Sequence, residues 1–524
     1  MGKYLNPASI MFQESLLSEI YVDKSGLIRY TNSVIRTKQK YVCVSRPRRF
    51  GKSMALEMLA AYYTCEEDTE KLFRNLDIHE DPSYEKHKNM YDVLMLNIQN
   101  FLSKTKNAEE MITLLQKQAL ADLKRKYHDL TDIDFTHLDW ALEDIFTATG
   151  RPFIILIDEW DCVFREYKMD SDGQKRYLDF LRDWLKDKSF IALAYMTGIL
   201  PIKKYGTHSA LNMFTEFSMT NPGAMAEYTG FTEAEVKMLC EKYDRNLDDM
   251  KLWYDGYFIE NSASIYNPKS VVESILQNKF RTFWNRTETY EALKEYISLN
   301  YDGLKDAVIR MLAGGSIGIN IEKFANDMET FSGADDVMTL LIHLGYLSYR
   351  EDIKQATIPN KEVSIEYINA MEDVHWDEIV KSIRSSEKLL KSLWNMDCEA
   401  VAAGVDEAHM NTSILKYNDE NALSYTISLA FYFAREYYFE IRELPTGKGY
   451  ADICYLPRKG HADKPAMIIE LKWNRSSEGA IKQIMDKKYV KSLETYKGNL
   501  LLVGINYDKA EKKHKCTIKK ITCN

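Results

Sequence analysis

Lys40-Tyr-Val-Cys-Val-Ser-Arg-Pro-Arg-Arg-Phe-Gly-Lys-Ser53, running on into Met54-Ala-Leu-Glu-Met-Leu-Ala-Ala-Tyr-Tyr63, decides the fold of the first part of this chain. Residues 40–45 read as a short buried strand and residues 54–63 as strong helix formers. Between them lies a basic turn ending in Gly51-Lys52-Ser53. Strand, Gly-Lys-Ser and helix form the setting in which a phosphate-binding loop works: backbone N–H groups at the helix start point at the anion, and the helix dipole favours negative charge. Arg49, Phe50 and Gly51 then wrap the phosphates, Lys52 reaches the β and γ phosphates, and the Ser53 hydroxyl sits on Mg²⁺. The stretch departs from G-x-x-x-x-G-K-[ST] at its first position, where Arg46 replaces glycine.

A phosphate loop needs a carboxylate at the end of a neighbouring strand to hold the magnesium shell. Arg151-Pro-Phe-Ile-Ile-Leu-Ile-Asp-Glu159 reads as a second buried strand, with Asp158 in that place and Glu159 placed to orient the attacking water. Phe190-Ile-Ala-Leu-Ala-Tyr-Met-Thr-Gly198 reads as a third, with Thr197 placed either to sense the γ-phosphate or as a satisfied strand-end threonine. Tyr63 to Arg151 reads as a long helical stretch. Strands separated by helices imply a parallel sheet covered on both faces. No arginine finger is assignable: Arg46, Arg48 and Arg49 crowd the loop, while Arg165, Arg176 and Arg182 follow the acidic pair.

Composition agrees. The 524 residues suffice for three or four domains. The 23 glycines and 11 prolines amount to roughly half the usual share of about 12%, which disfavours a turn-dense all-β architecture. A net charge of −9 excludes a uniformly basic nucleic-acid binder but allows a local basic groove. No apolar run approaches the roughly 18 residues of a membrane span, and the N-terminus shows no signal core, so no membrane association is expected. The eight cysteines include no C-x-x-C pair, which fits a reducing cytoplasm.

From 229 to 399 the pattern is mainly helical, with one β signal in Gly345-Tyr-Leu-Ser-Tyr-Arg350 and Gln355-Ala-Thr-Ile-Pro-Asn360; helices followed by one hairpin suggest a winged-helix-like lid. Residues 400–524 read as a separate α/β unit: a helix over 421–438, two strands, a helix over 479–495 and a strand over 499–505. Its two central strands are Lys448-Gly-Tyr-Ala-Asp-Ile-Cys-Tyr-Leu-Pro457 and Pro465-Ala-Met-Ile-Ile-Glu-Leu-Lys-Trp473, joined by a turn centred on His461. That centre sets Asp452 opposite Glu470, with their Cβ atoms about 4.5–5.5 Å apart, and Lys472 on the same face. Two opposed carboxylates repel unless a divalent cation lies between them. Asp452, Glu470 and Lys472 therefore point to metal-assisted phosphodiester hydrolysis, with the acids on the metal and the lysine beside the water and the phosphorus. Glu420 is either a further acid or a glutamate complementing the helix dipole. Gln483 and Lys487 share one side of the next helix, which with Lys488, Tyr489 and Lys491 suits a nucleic-acid backbone. The C-terminal tail adds Lys512, Lys513, Lys515, Lys519 and Lys520, which read as an ordinary solvated lysine face somewhat more readily than as part of that surface.

Tyr21-Val-Asp-Lys24, the 46–53 loop, Ile157-Asp-Glu159, Leu252-Trp-Tyr-Asp-Gly-Tyr257 with Tyr266-Asn-Pro268, and Pro359-Asn-Lys-Glu-Val363 together resemble the bacterial AAA-ATPase-like family. Ala451-Asp452 with Glu470-Leu-Lys472 and Gln483 resembles the PD-(D/E)XK nuclease superfamily domain at the C-terminus of such proteins, with Ala451 in place of the motif's proline. The resemblance implies a P-loop α/β domain over 1–228, a helical lid over 229–399 and a restriction-endonuclease-like α/β domain over 400–524. It implies an ATP-binding core with Asp158 and Glu159 as the magnesium and water pair and Asp452 and Glu470 with Lys472 as the nuclease group, but it supplies no substrate. The leading expectation is an ATPase–nuclease that uses ATP with Mg²⁺ or Mn²⁺, holds metal through Ser53, Asp158, Asp452 and Glu470, takes DNA at its last domain and has room for a homo-oligomer. The competing expectation is a nucleotide-dependent switch whose last domain binds nucleic acid or protein without cutting. The aromatic corner Trp253–Tyr257 reads as packing around an Asp-Gly turn more readily than as a ligand site.

Overall fold

The computed structural model describes every residue except 1, 206–207, 259–262, 285–287, 300, 327, 330, 412–419, 447–448, 487–495, 497 and 522–524. The chain divides into two compact units, one of Met1–Leu293 with Gly318–Ile365, the other of Lys294–Ile317 with Glu366–Asn524.

The first unit is built on a parallel sheet of β1 (Tyr41–Ser45), β2 (Asp92–Asn97), β3 (Phe153–Asp158), β4 (Ile191–Gly198) and β5 (Thr215–Phe217), in the order β2-β3-β4-β1-β5. Every residue of β1, β3 and β4 is buried, which is why these strands read as continuous apolar runs. The strand β2 lies within the stretch that reads as helical, because its Val-Leu-Met-Leu centre carries no β-branched excess. It is a strand because Val93, Leu94 and Leu96 are buried in register with Ile154, Ile155 and Ile157 of β3. At about 1.5–3 kcal/mol per fully buried aliphatic side chain, that placement outweighs local propensity. Helix α1 (Lys52–Tyr63) follows the loop and buries Leu56, Leu59 and Ala60 in the same core as Val42 and Val44.

Later in this unit, β6 (Phe231–Thr232), β7 (Tyr257–Phe258) and β8 (Ser264–Tyr266) form a small antiparallel sheet, with helix α2 (Leu247–Tyr254) running into β7. Helix α3 (Ala334–Leu344) ends at Gly345, and the expected hairpin is present as β9 (Ser348–Arg350) paired with β10 (Gln355–Thr357).

The second unit holds a mixed sheet of β11 (Tyr438–Thr446), β12 (Gly449–Pro457), β13 (Ala466–Trp473), β14 (Leu500–Asp508) and β15 (Lys513–Ile521), paired in chain order; only β13 and β14 are parallel. Helices α4 (Asp377–Trp394), α5 (Cys398–Asn411) and α6 (Glu420–Ala430) cover one face through Leu390, Val401 and Ile427 over Ile453, Ile469 and Val503. Helix α7 (Ser477–Asp486) covers the other through Ile481 and Ile484 over Cys454, Ile468 and Leu502.

Two strands exceed the sequence reading. The helix expected over 421–438 stops at Ala430, and a short 3-10 turn leads into β11. The lysine tail is the edge strand β15, whose alternating pattern exposes Lys513, Lys515 and Lys519 while burying His514 and Ile518. Both are outer strands, where alternation hides the apolar content that marks a central strand.

Candidate functional site

In the first unit the loop leaves β1 at Ser45 and turns into α1 through Gly51, whose backbone has φ +86 and where an added Cβ would meet no atom within 4 Å. Glycine is required there for the left-handed conformation rather than for space. Arg49 adopts φ +71, a conformation that costs a non-glycine residue free energy unless neighbours hold it. Lys52 turns its ammonium back into the loop, donating to the carbonyls of Arg46 and Pro47 at 2.9 Å each. Burial pushes its pKa down, opposed by Glu159, Asp158 and Asp161. Arg46, in place of the first loop glycine, is fully buried and donates to the carbonyls of Ser45 and Phe217. Its guanidinium thus ties the loop entrance to β5, and burial lowers its pKa to about 10.

Asp158 is the hub. It is almost fully buried and accepts from Ser53 Oγ at 2.7 Å, Thr197 Oγ1 at 2.6 Å and Asn97 Nδ2 at 3.3 Å. Its donors come from the start of α1 and the ends of β4 and β2, so this edge of the sheet converges on one carboxylate, as parallel sheets do at the carboxyl ends of their strands. Glu159 has φ +51, and its carboxylate pairs with Arg165, which also donates from Nε to Asp161 at 3.1 Å. Asp161, fully buried, accepts from the backbone N–H groups of Ile199 and Leu200. Burial raises the Glu159 pKa, against the pull of Arg165 and Lys52.

Ser53, Lys52, Asp158, Glu159 and Thr197 are thereby brought together, as the sequence reading expected of neighbours in one site. It missed Asn97, Asp161 and Arg165. Asn97 ends an unread strand, and Arg165 could not be told from Arg176 and Arg182, which pair with the exposed acids Glu109 and Asp179.

In the second unit the register of β12 and β13 is Ile453↔Ile469, Cys454↔Ile468 and Tyr455↔Met467, the register of a turn centred on His461, and the paired ladder ends there, one step before Asp452 and Glu470. A 3-10 turn over Lys459–His461 closes that hairpin. Asp452 accepts from the backbone N–H of Leu471 at 2.6 Å. Glu470 is buried and accepts from Lys472 Nζ at 3.0 Å and from Gln483 Nε2 on α7. The row continues across the sheet: Glu470 lies beside Gly504, which lies beside Thr517, and Lys472 lies beside Asn506, which lies beside Lys515. A Cβ on Gly504 would lie 2.2 Å from the Ser477 carbonyl oxygen, so glycine is what lets α7 close enough to set Gln483 on Glu470. Glu420 opens α6 as expected, but its side chain lies outside the described residues, as do Lys487, Lys488, Tyr489 and Lys491.

One further group has the spacing of a cation site: ligand atoms of Cys65, Glu66 and Asp92 lie within 4.8 Å of one another. Lys126 already pairs with both acids and Arg151 lies 3.6 Å from Asp92, so the negative charge is neutralised by side chains.

Residues 12–207 match the AAA-ATPase-like family, described as a predicted AAA-ATPase, and residues 420–517 match the PD-(D/E)XK nuclease superfamily. An uncharacterized protein in the vnfD 5' region of Azotobacter chroococcum mcd 1 is 25% identical over 286 residues, 51% of this chain and 51% of that one. The chain thus spans about half the length of that relative. Among solved structures, Cdc6p of Pyrobaculum aerophilum aligns with 10% identity and a TM-score of 0.25, covering 71% of this chain and 99% of the other. The ORC2 protein of Aeropyrum pernix, in ADPNP–ADP complexes, aligns with 10% identity and a TM-score of 0.23 over 67% and 94% of the two chains. Among the described residues no helix is long and apolar enough to cross a membrane.

Proposed function

We propose that this chain, an AAA-ATPase-like domain followed by a PD-(D/E)XK nuclease superfamily domain, is a nucleotide-dependent, metal-dependent phosphodiester hydrolase acting on DNA. The strongest support is the group at the end of the β12–β13 ladder, where Asp452 accepts from the Leu471 N–H and Glu470 accepts from Lys472 and Gln483. The donors there are carboxylate oxygens, the chemistry that suits a hard cation such as Mg²⁺ or Mn²⁺. Such a cation supplies Lewis acidity toward the phosphodiester and a more acidic bound water.

The chain's own residues do the rest. The backbone N–H of Leu471 orients Asp452, and Gln483 orients Glu470, so both carboxylates meet a ligand without rearranging. Lys472, 3.0 Å from Glu470, carries positive charge to where the phosphate oxygens would lie.

In the first unit, Lys52 exchanges the carbonyls of Arg46 and Pro47 for phosphate oxygens when nucleotide enters the loop. Ser53 and Asp158, already in contact, offer their oxygens to a magnesium shell. Glu159 takes the proton of the attacking water, helped by the burial that raises its pKa.

The test uses the full chain on single- and double-stranded DNA, with Mg²⁺ or Mn²⁺, with and without ATP. Metal-dependent cleavage should be lost in Glu470→Ala, and any effect of ATP lost in Lys52→Ala. Equal residual cleavage by wild type and Glu470→Ala would retire the hydrolase reading.

A further inference from the structure

Two motifs of the sequence, Leu252-Trp-Tyr-Asp-Gly-Tyr257 and Pro359-Asn-Lys-Glu-Val363, have no part in the chemistry above, yet both lead back to the phosphate loop. Phe50, the residue before Gly51, is fully buried with its ring edge-on to Tyr257, centroids 5.2 Å apart at 86°. The Tyr257 hydroxyl donates to the Gly345 carbonyl at 2.9 Å. Gly345, with φ +88, lies so close to the loop that a Cβ there would be 2.8 Å from Cβ of Pro47. The Phe50 carbonyl accepts from the Gly230 N–H at 3.1 Å. Arg49 Nη1 donates to the Phe283 carbonyl at 2.6 Å, and the N–H groups of Phe283 and Trp284 donate in turn to Glu362. The two motifs grip each other as well. Asn360 Nδ2 donates to the Asp255 carbonyl at 2.8 Å, and a Cβ on Gly256 would lie 2.0 Å from the Pro359 carbonyl oxygen.

We infer that these segments form a clamp that sets the conformation of the phosphate loop where its first glycine is missing, and that Tyr257 is a positioning residue for nucleotide binding. The inference rests on the reading of residues 46–53 as the nucleotide loop. The physical reason is the strain at Arg49. A loop with a non-glycine residue at φ +71 holds that shape only if its surroundings over-determine it. Here Pro47, Arg49 and Phe50 each meet a different part of the clamp. Coupling of this kind is reciprocal: whatever helps the loop to bind nucleotide is itself stabilised by nucleotide.

The test measures nucleotide affinity with a fluorescent ATP analogue, ATPase kcat and KM, and backbone hydrogen exchange, on the full chain. Tyr257→Phe keeps the ring and deletes one hydrogen bond, so the nucleotide Kd and KM should rise about three- to tenfold with kcat nearly unchanged. The nucleotide-free melting temperature of that variant should stay close to wild type. In wild type, which needs no substitution, ATP should slow exchange of the amides of residues 255–258 and 345–348. Wild-type affinity in Tyr257→Phe, or exchange at these amides that ignores ATP, would overturn the clamp while leaving the loop assignment intact. Absence of ATP binding by wild type itself would overturn both.

Discussion

Mn²⁺ added to the full chain, with nucleotide left out, should raise the melting temperature of the unit that holds Asp452 and Glu470. Without a cation, two carboxylates brought within about 5 Å of each other would repel by about 3 kcal/mol at an effective dielectric constant of about 20. Lys472, paired to Glu470 at 3.0 Å, offsets part of this. A cation between the acids removes the repulsion and adds its own binding free energy, about 2.7 kcal/mol at a free concentration one hundred times its dissociation constant. For a unit of this size that corresponds to roughly 5–10 °C. Differential scanning calorimetry with and without the ion reads the shift directly. Glu470→Gln and Asp452→Asn each keep the shape of the side chain and remove one of the two charges, so either should reduce the shift to a small fraction of its wild-type size. Both variants should also lose less stability in the absence of metal than a typical buried ion-pair break of about 3–5 kcal/mol, because each relieves the repulsion. An equal shift in wild type and both variants would show that the ion binds elsewhere, and no shift at millimolar Mn²⁺ would show that these acids do not form a cation site.

The remaining expectations concern other atoms. Glu159→Gln should bind ATP as wild type does and hydrolyse it on the order of a hundredfold or more slowly, read by single-turnover phosphate release; comparable turnover would remove Glu159 from the reaction. Gly504→Ala should lower the melting temperature by a few degrees and impair DNA cleavage together, because the new methyl meets the Ser477 carbonyl and lifts α7 with Gln483; cleavage at wild-type rate would show that Gln483 does not matter. Glu57 on α1 has its pKa raised from 4.5 to about 7 by burial, with Asp158 and Glu14 adding repulsion. The folded state therefore holds a proton that the unfolded state releases between those values, and stability falls as pH rises through this window. Glu57→Gln should gain stability over wild type as pH rises from about 4.5 to 8, and a difference that does not change with pH would contradict the assignment.

Much of the fold was readable along the chain because its central elements are locally declared. Buried strands of parallel sheets are unbroken apolar runs, so β1, β3 and β4 stand out, and Asp158 and Thr197 lie at the ends of β3 and β4. The outer strands β2, β11 and β15 were misread or missed, since their identity depends on which neighbour covers them and not on their own pattern.

The same division runs through the sites. The sequence by itself determined that a Gly-Lys-Ser turn joins a strand to a helix, and that the β12–β13 ladder runs toward Asp452 and Glu470 at one end, because a hairpin's register follows from the centre of its turn. Only the tertiary structure decided that Asn97 and Thr197 meet on Asp158, that Arg165 rather than Arg176 or Arg182 holds Glu159, and that Phe50 rests on Tyr257 more than two hundred residues away. Hydrogen bonds within a turn or hairpin are set by backbone geometry over a few residues, whereas these contacts exist because separate apolar faces are buried against each other, and the polar groups at their rims must then find partners wherever the packing leaves them.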